Sequence, residues 1–390
     1  MKILFFDSPA FAKQDMIDAF EDMNIACDLF FHEEYNDRQS TAFSAAFDVA
    51  LQKASYDFVF SFNYYPILSS CCQRHGIRYV SYVYDSPLVA LYSCTLINPC
   101  NYVFLFDYTL YTEFCRKNPG HIFYLPLGCD LPHYDSIIPT PQDHANYDCD
   151  VSFVGSLYTE KSPYHAIRTQ LPSYIQGYFD GILHAQQLVY GYNFLCDIIP
   201  PDLMETLDQL IDVSPSPGYD LDKRTLLGNL LLNPMCTEME RIHLLNSIGE
   251  HFSLDLYTQS DTSPLKNIRL RGIASSLDGM PKVFKCSKIN LNLTAKGIQS
   301  GASLRIFDVL GCGGFLLSNY QSELPQLFEV GRELVLFDSE ADLLDKISYY
   351  LHHEDERREI AANGYQRIRQ EYSYQARLAL MLDVRHSLSI

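Results

Sequence analysis

Residues 287–318 read SKINLNLTAKGIQSGASLRIFDVLGCGGFLLS, and this stretch decides the fold. The apolar run at 289–293 predicts a buried strand, and the small residues Gly297, Ser300, Gly301, Ala302 and Ser303 predict a tight loop after it. A short helix carrying Arg305 and Asp308 follows, and Gly311, Gly313 and Gly314 turn the chain into a second apolar strand. A strand, a small-residue loop and a helix N-terminus form an α/β unit suited to an anion, because free backbone N–H groups and the helix dipole point the same way. Arg305 and Asp308 lie three apart and share one helix face. That sets a cation able to reach a diphosphate one turn from a carboxylate able to accept from a ribose. The spacing fits equally an exposed ion pair worth about 0.2–0.5 kcal/mol.

The 390 residues exceed one ordinary core, so two domains are expected. With 47% hydrophobic and 20% charged residues the chain reads as a soluble globular protein. A formal charge of −19 argues against a nucleic-acid partner, which is held through clustered Lys and Arg. A nucleotide needs only a local positive spot. The start, MKILFFDSP, reads as a first strand rather than a signal peptide, and no run approaches the ~20 apolar residues of a membrane span. Twelve cysteines without a C-x-x-C pair read as reduced, mostly buried thiols in a cytoplasmic protein, with Cys71, Cys94 and Cys312 as packing residues.

Along the first 130 residues, apolar strands at 2–7, 26–31, 57–62, 78–84, 102–106 and 121–125 alternate with helical stretches. Nearly continuous apolar runs are the mark of parallel strands buried on both faces, so a doubly wound sheet is predicted. The polar, proline-containing segment 132–150 reads as an interdomain linker. A second α/β unit opens at 150–154, detours through a helical insertion over about 164–251, and resumes with strands at 254–257, 268–270, 289–293, 315–317 and 334–337. Within the insertion Leu203, Leu207, Leu210 and Ile211 recur at helical spacing, and SPSPGYD at 214–220 is a turn. One closing helix spans about 354–371, and another, capped by Ser373, runs past Leu382. The expected division is an N-terminal Rossmann-like domain at 1–145, a C-terminal Rossmann-like domain at 146–371, and a last helix at 372–390 packing back on the first domain. Two doubly wound domains facing a cleft form the GT-B architecture.

Several segments resemble the CgeB-like, spore-maturation-type glycosyltransferases, which carry their own N-terminal domain. They are YDFVFSFNYYPILSS (56–70), RYVSYVYDSP (78–87), NYVFLFDYTLY (101–111), DVSFVGSLYTEK (150–161), the block around SGASLRIFDVLGCGGFLL, and 327–368. The resemblance implies a GT-B enzyme that moves a sugar from a nucleotide-diphosphate sugar, expected to be UDP-linked, to an unidentified protein or glycan. Many GT-B relatives open the second domain with Gly-Arg-Leu-x-x-x-Lys, whose Arg and Lys bind the diphosphate. Here the positions are Gly155, Ser156 and Lys161, so the lysine is kept and serine replaces arginine. Arg305 is a candidate to supply that charge. A Glu-x7-Glu motif of those relatives falls on Ser300 and Asp308: the ribose carboxylate is shortened and the first carboxylate is missing.

Further candidates come from strand ends. Arg271 and Gly272 end a strand where backbone in this architecture pairs with the nucleobase edge; an ordinary turn is the alternative. Asp85 closes a buried strand before Ser86-Pro87 and is either the acceptor's general base or an N-cap. Asp7 has the same two readings. Asp148-Cys-Asp150 and Asp220-Leu-Asp222 are not read as metal sites, and the twelve histidines show no metal spacing. The enzyme is therefore expected to need no metal and no cofactor, with lysine, arginine and a helix terminus neutralising the leaving diphosphate. The rival readings are a sugar-nucleotide epimerase or hydrolase on the same fold and a non-catalytic nucleotide-sugar-binding partner protein.

Overall fold

A computed structural model describes residues 1–10, 12–210 and 214–387, with side chains up to 383; Ile211 and the chain beyond 387 lie outside the described residues. By internal packing the chain forms two units. The first holds Met1–Asp130, Ser216–Leu221 and the chain from Glu371; the second holds Leu131–Pro215 and Asp222–Gln370.

The first unit contains β1 (Lys2–Phe6), β2 (Ala26–Phe30), β3 (Phe58–Phe62), β4 (Tyr79–Val83), β5 (Asn101–Leu105) and β6 (Ile122–Tyr124), all parallel in the order β2-β1-β3-β4-β5-β6. Every residue of β3, β4 and β5 is buried, as strands covered on both faces must be. Phenylalanines fill the core: Phe5 meets Phe60 at 5.2 Å between ring centroids, and Phe20 meets Phe60 edge-on at the same distance. The helix Tyr374–Ser387 belongs here. The Ser373 hydroxyl accepts the Ala376 amide at 3.2 Å, and the Tyr374 amide donates to the Cys129 carbonyl.

The second unit contains β7 (Cys149–Val154), β8 (Leu254–Tyr257), β9 (Arg269–Leu270), β10 (Ser287–Asn292), β11 (Leu316–Asn319) and β12 (Val335–Phe337), again all parallel, in the order β12-β11-β10-β7-β8-β9. The chain builds outward from β7 through β8 to β9, then returns to the other side of β7 for β10. The winding therefore reverses between β7 and β10, and in open α/β sheets ligands bind outside the carboxyl ends of the strands at such a point. Between β7 and β8 the helical insertion includes Ser173–Gln187, Pro201–Leu210 and Asn233–His251. Leu203 and Leu207 are buried, whereas Leu210 at the helix end is exposed.

Two sequence expectations need correction. The segment read as a linker forms the helices Leu131–Ser136 and Pro141–Tyr147. The second starts on a capping box, in which the Thr140 hydroxyl accepts the Asp143 amide and the Asp143 carboxylate accepts the Thr140 amide, with Pro141 in the first turn. Polar composition hid that start signal. All twelve cysteines are free thiols, but Cys94 is exposed rather than a packing residue, because it opens a short 3-10 turn at the surface.

Candidate functional site

The carboxyl end of β7 leads into Gly155 and Ser156. The loop is tied internally: the Ser156 hydroxyl donates to Glu160 at 2.8 Å and accepts the Tyr158 amide at 2.9 Å, and the Leu157 amide donates to Ser260 Oγ. Tyr158 has a left-handed φ of 70°, a costly conformation for a bulky residue and one that clusters at functional sites. The Lys161 amide closes the turn onto the Tyr158 carbonyl, and its ammonium lies 4.5 Å from the Tyr158 ring centroid.

The carboxyl end of β10 leads into the loop 293–303. Here Lys296 is buried in an ion pair with Glu240 at 2.7 Å and lies over the Tyr190 ring. Ser300, Gly301 and Ala302 are buried, and Ser303 caps by position the helix Leu304–Gly311 while its hydroxyl donates to Asn292. The Ser300 hydroxyl donates to Glu323 at 2.5 Å, and Glu323 is only 3% exposed. A carboxylate therefore stands beside the position where the sequence pattern lacks one, brought from 23 residues further on.

Arg305 and Asp308 do share one face, as an ion pair of 3.0 Å. It is not the exposed pair that spacing alone allows. Asp308 is 5% exposed, its other oxygen accepts the Tyr134 hydroxyl at 2.8 Å, and the Arg305 guanidinium lies 5.1 Å from the Phe284 ring centroid. Burial pushes the Asp308 carboxyl above its usual range, against the opposing pull of Arg305 and the Tyr134 hydrogen bond.

Sequence reasoning missed Arg241. It projects from the helix Asn233–His251 to the two strand ends that flank the reversal. One terminal nitrogen donates to the Ser156 carbonyl and the other to the Leu293 carbonyl, each at 2.5 Å. The guanidinium lies 4.9 Å from the Tyr158 ring centroid and 5.5 Å from that of Phe153. Burial, aided by the like charge of Arg305, pushes its pKa below the ordinary range, while Tyr158, Glu240 and Glu160 pull the other way. Nothing in the local sequence marks it, since a Glu-Arg pair on a long helix reads as a solvated face.

At the far side of this sheet, a cleft of about 530 Å³ is lined by Tyr147, Tyr257, Leu270, Arg271, Ile273 and Ser275, among others. Arg271 donates to the Asn146 carbonyl and lies 3.4 Å from Asp255, while its amide donates to the Leu256 carbonyl. Gly272 has a φ of 77° that favours glycine, and its carbonyl accepts the Thr258 amide at 2.7 Å.

In the first unit Asp85 is exposed at the end of β4, where it accepts a hydrogen bond from Asn63 Nδ2 at 2.8 Å. The next helical turn is capped by Leu88, so Asp85 is not its N-cap. Asp7 instead pairs with Lys13 at 2.5 Å. Of the aspartates in the D-x-D-like segments, Asp150 pairs with Lys288 and Asp222 caps the helix Lys223–Leu227. Asp148 lies near His144 and Cys286, with ligand atoms within 4.8 Å, at the amino ends of β7 and β10 and thus away from the reversal point.

Residues 231–383 match a family described as glycosyl transferase-like. No curated protein matches the chain. Among solved structures it is similar to Anabaena HepE in complex with UDP and glucose, at 12% identity and a TM-score of 0.56 over 100% of this chain and 99% of that one. It is also similar to a glycosyltransferase from Rickettsia africae (10%, 0.54, covering 100% and 98%) and to sucrose-phosphate synthase from Thermosynechococcus elongatus (9%, 0.53, covering 100% and 99%). These likenesses establish the fold: two six-stranded parallel sheets of the GT-B type.

Proposed function

We propose that this chain is a glycosyltransferase that takes a sugar from a nucleotide-diphosphate sugar, UDP-linked, and transfers it to a protein or glycan acceptor in the manner of the CgeB-like enzymes. The observation that carries this reading is the winding reversal of the second sheet. A glycine turn with Lys161 lies at the end of β7, and a buried small-residue loop feeding the Arg305 helix follows β10. Of these elements, β10, the loop and the Arg305 helix fall within the stretch that matches the glycosyl transferase-like family, while β7 and Lys161 precede it. Gly155, Ser156 and the loop Ser300–Ser303 contribute backbone groups to the diphosphate, with Lys161 and Arg305 as cations. Asp308 acts on the donor chiefly by holding Arg305, since both of its oxygens are engaged. The cleft beside Arg271 and Gly272 takes the base against Tyr147 and Tyr257.

Catalysis in this reading is charge stabilisation of the departing diphosphate by cationic side chains, together with positioning of the acceptor. Asp85 is the proposed acceptor base. No described helix is long and apolar enough to cross a membrane, consistent with a cytoplasmic enzyme. The test is product analysis with a panel of UDP-sugars and candidate acceptors. UDP release coupled to sugar incorporation supports a transferase. Release without incorporation supports a hydrolase, interconversion of the sugar supports an epimerase, and binding without turnover supports a non-catalytic binding protein.

A further inference from the structure

We propose that Arg241, which reaches the Ser156 carbonyl from a helix 85 residues later, binds the diphosphate of the donor. The inference rests on the nucleotide reading above and deepens it. Arg241 is 8% exposed, and among the described residues no carboxylate lies within 4.0 Å of its guanidinium. Its terminal nitrogens meet only neutral carbonyls, and its Nε–H has no acceptor. Burying an ion costs several kcal/mol unless it is paired, and buried charges are accordingly paired or engaged with a ligand.

The adjacent residue provides the contrast. Glu240 neutralises buried Lys296 at 2.7 Å, so the same helix turn pairs one buried cation and leaves the next unpaired. The unpaired one is the cation at the reversal point, between the end of β7 and the end of β10. Charges of both signs surround it, Glu240 and Glu160 favouring its charge and Arg305 opposing it. Lys161 and Arg241 both lie over the Tyr158 ring, and Arg305 is close enough to oppose the charge on Arg241. A small multivalent anion satisfies all three conditions: it pairs the guanidinium, accepts from Nε–H, and relieves the repulsion among the cations. Inorganic pyrophosphate and the diphosphate of a nucleotide share that chemistry. A staple between two strand ends would need only the carbonyl contacts and no charge.

The experiment is calorimetry of inorganic pyrophosphate and of UDP with the wild-type chain, Arg241→Gln and Arg241→Lys. Loss of charge-assisted hydrogen bonds lowers affinity for both ligands by about 10–100-fold in Arg241→Gln. Arg241→Lys, which keeps the charge without the planar fork, falls between and guards against a glutamine variant that fails to fold. Pyrophosphate raises the melting temperature of the wild type more than that of either variant. UDP binding that is undiminished in both variants overturns the assignment while the nucleotide reading stands. Lower melting temperatures with unchanged pyrophosphate affinity also overturn it, leaving a structural staple. Arg241-dependent pyrophosphate binding without any UDP binding supports the assignment and removes the nucleotide reading. A wild type that binds neither ligand removes both.

Discussion

The hydroxyl of Tyr134 donates to the carboxylate of Asp308 at 2.8 Å, across 174 residues of sequence, while the other carboxylate oxygen holds Arg305 at 3.0 Å. This three-membered chain fixes where the Arg305 guanidinium points. Arg305→Ala is expected to weaken UDP binding by about 10–100-fold through loss of charge-assisted hydrogen bonds. Asp308→Ala should weaken it in the same direction, by releasing Arg305, and Tyr134→Phe should weaken it less. Calorimetry on the three variants checks the order; wild-type affinity in Arg305→Ala removes that residue from the site.

Burial holds the folded Asp308 carboxyl above its ordinary value. A raised carboxyl binds its proton more tightly when folded, so its contribution favours the folded state at low pH and is lost as pH rises through the folded value. Asp308→Asn cannot titrate. The stability of the wild type relative to Asp308→Asn should therefore decline as pH rises from about 3.9 toward neutrality. Urea unfolding of both proteins across that range measures the difference. A difference that grows with pH would show that pairing with Arg305 outweighs burial.

Glu240 and Lys296 are both buried, with side chains 3% and 7% exposed. Glu240→Gln leaves an ammonium without its counter-charge, and breaking a buried pair in this way costs about 3–5 kcal/mol. A large fall in the melting temperature is expected, with Glu240→Gln/Lys296→Met recovering part of the loss. A single variant as stable as the wild type would mean that the Glu240–Lys296 pair contributes nothing to stability.

Much of the fold was legible because strand alternation and continuous apolar runs are local. The strand ends at β7 and β10 could be anticipated from Gly155 and from the small residues at 300–303. What escaped was long-range. Thr140 and Asp143 formed a capping box inside a stretch whose polarity suggested a linker. Glu323 reaches Ser300 and Arg241 reaches Ser156 and Leu293 only once the helices pack against the sheet. A single sequence carries no spacing signal for such contacts. The three-residue spacing of Arg305 and Asp308 sets them on one face, but their burial depends on Tyr134 and Phe284, which lie far from them in the chain.

Asp85 is exposed, bonded to Asn63, and does not cap the following turn. Asp85→Asn keeps size and most of the hydrogen bonding but removes the ability to take a proton. Turnover should fall by about 10²–10⁴-fold with UDP affinity and melting temperature nearly unchanged. A rate within a few-fold of wild type would remove Asp85 as the base.

In the proposed reading the carboxyl edge of the second sheet binds a nucleoside diphosphate through cationic side chains. Calorimetric titration of the wild-type chain with UDP, with and without EDTA, tests it most directly. The account predicts one-site binding with the same affinity in both conditions, and a ligand at 100 times its Kd should add about 2.7 kcal/mol of stability. Absence of binding to UDP, ADP and GDP at millimolar concentration would contradict the account. So would binding that disappears in EDTA and returns with a divalent cation.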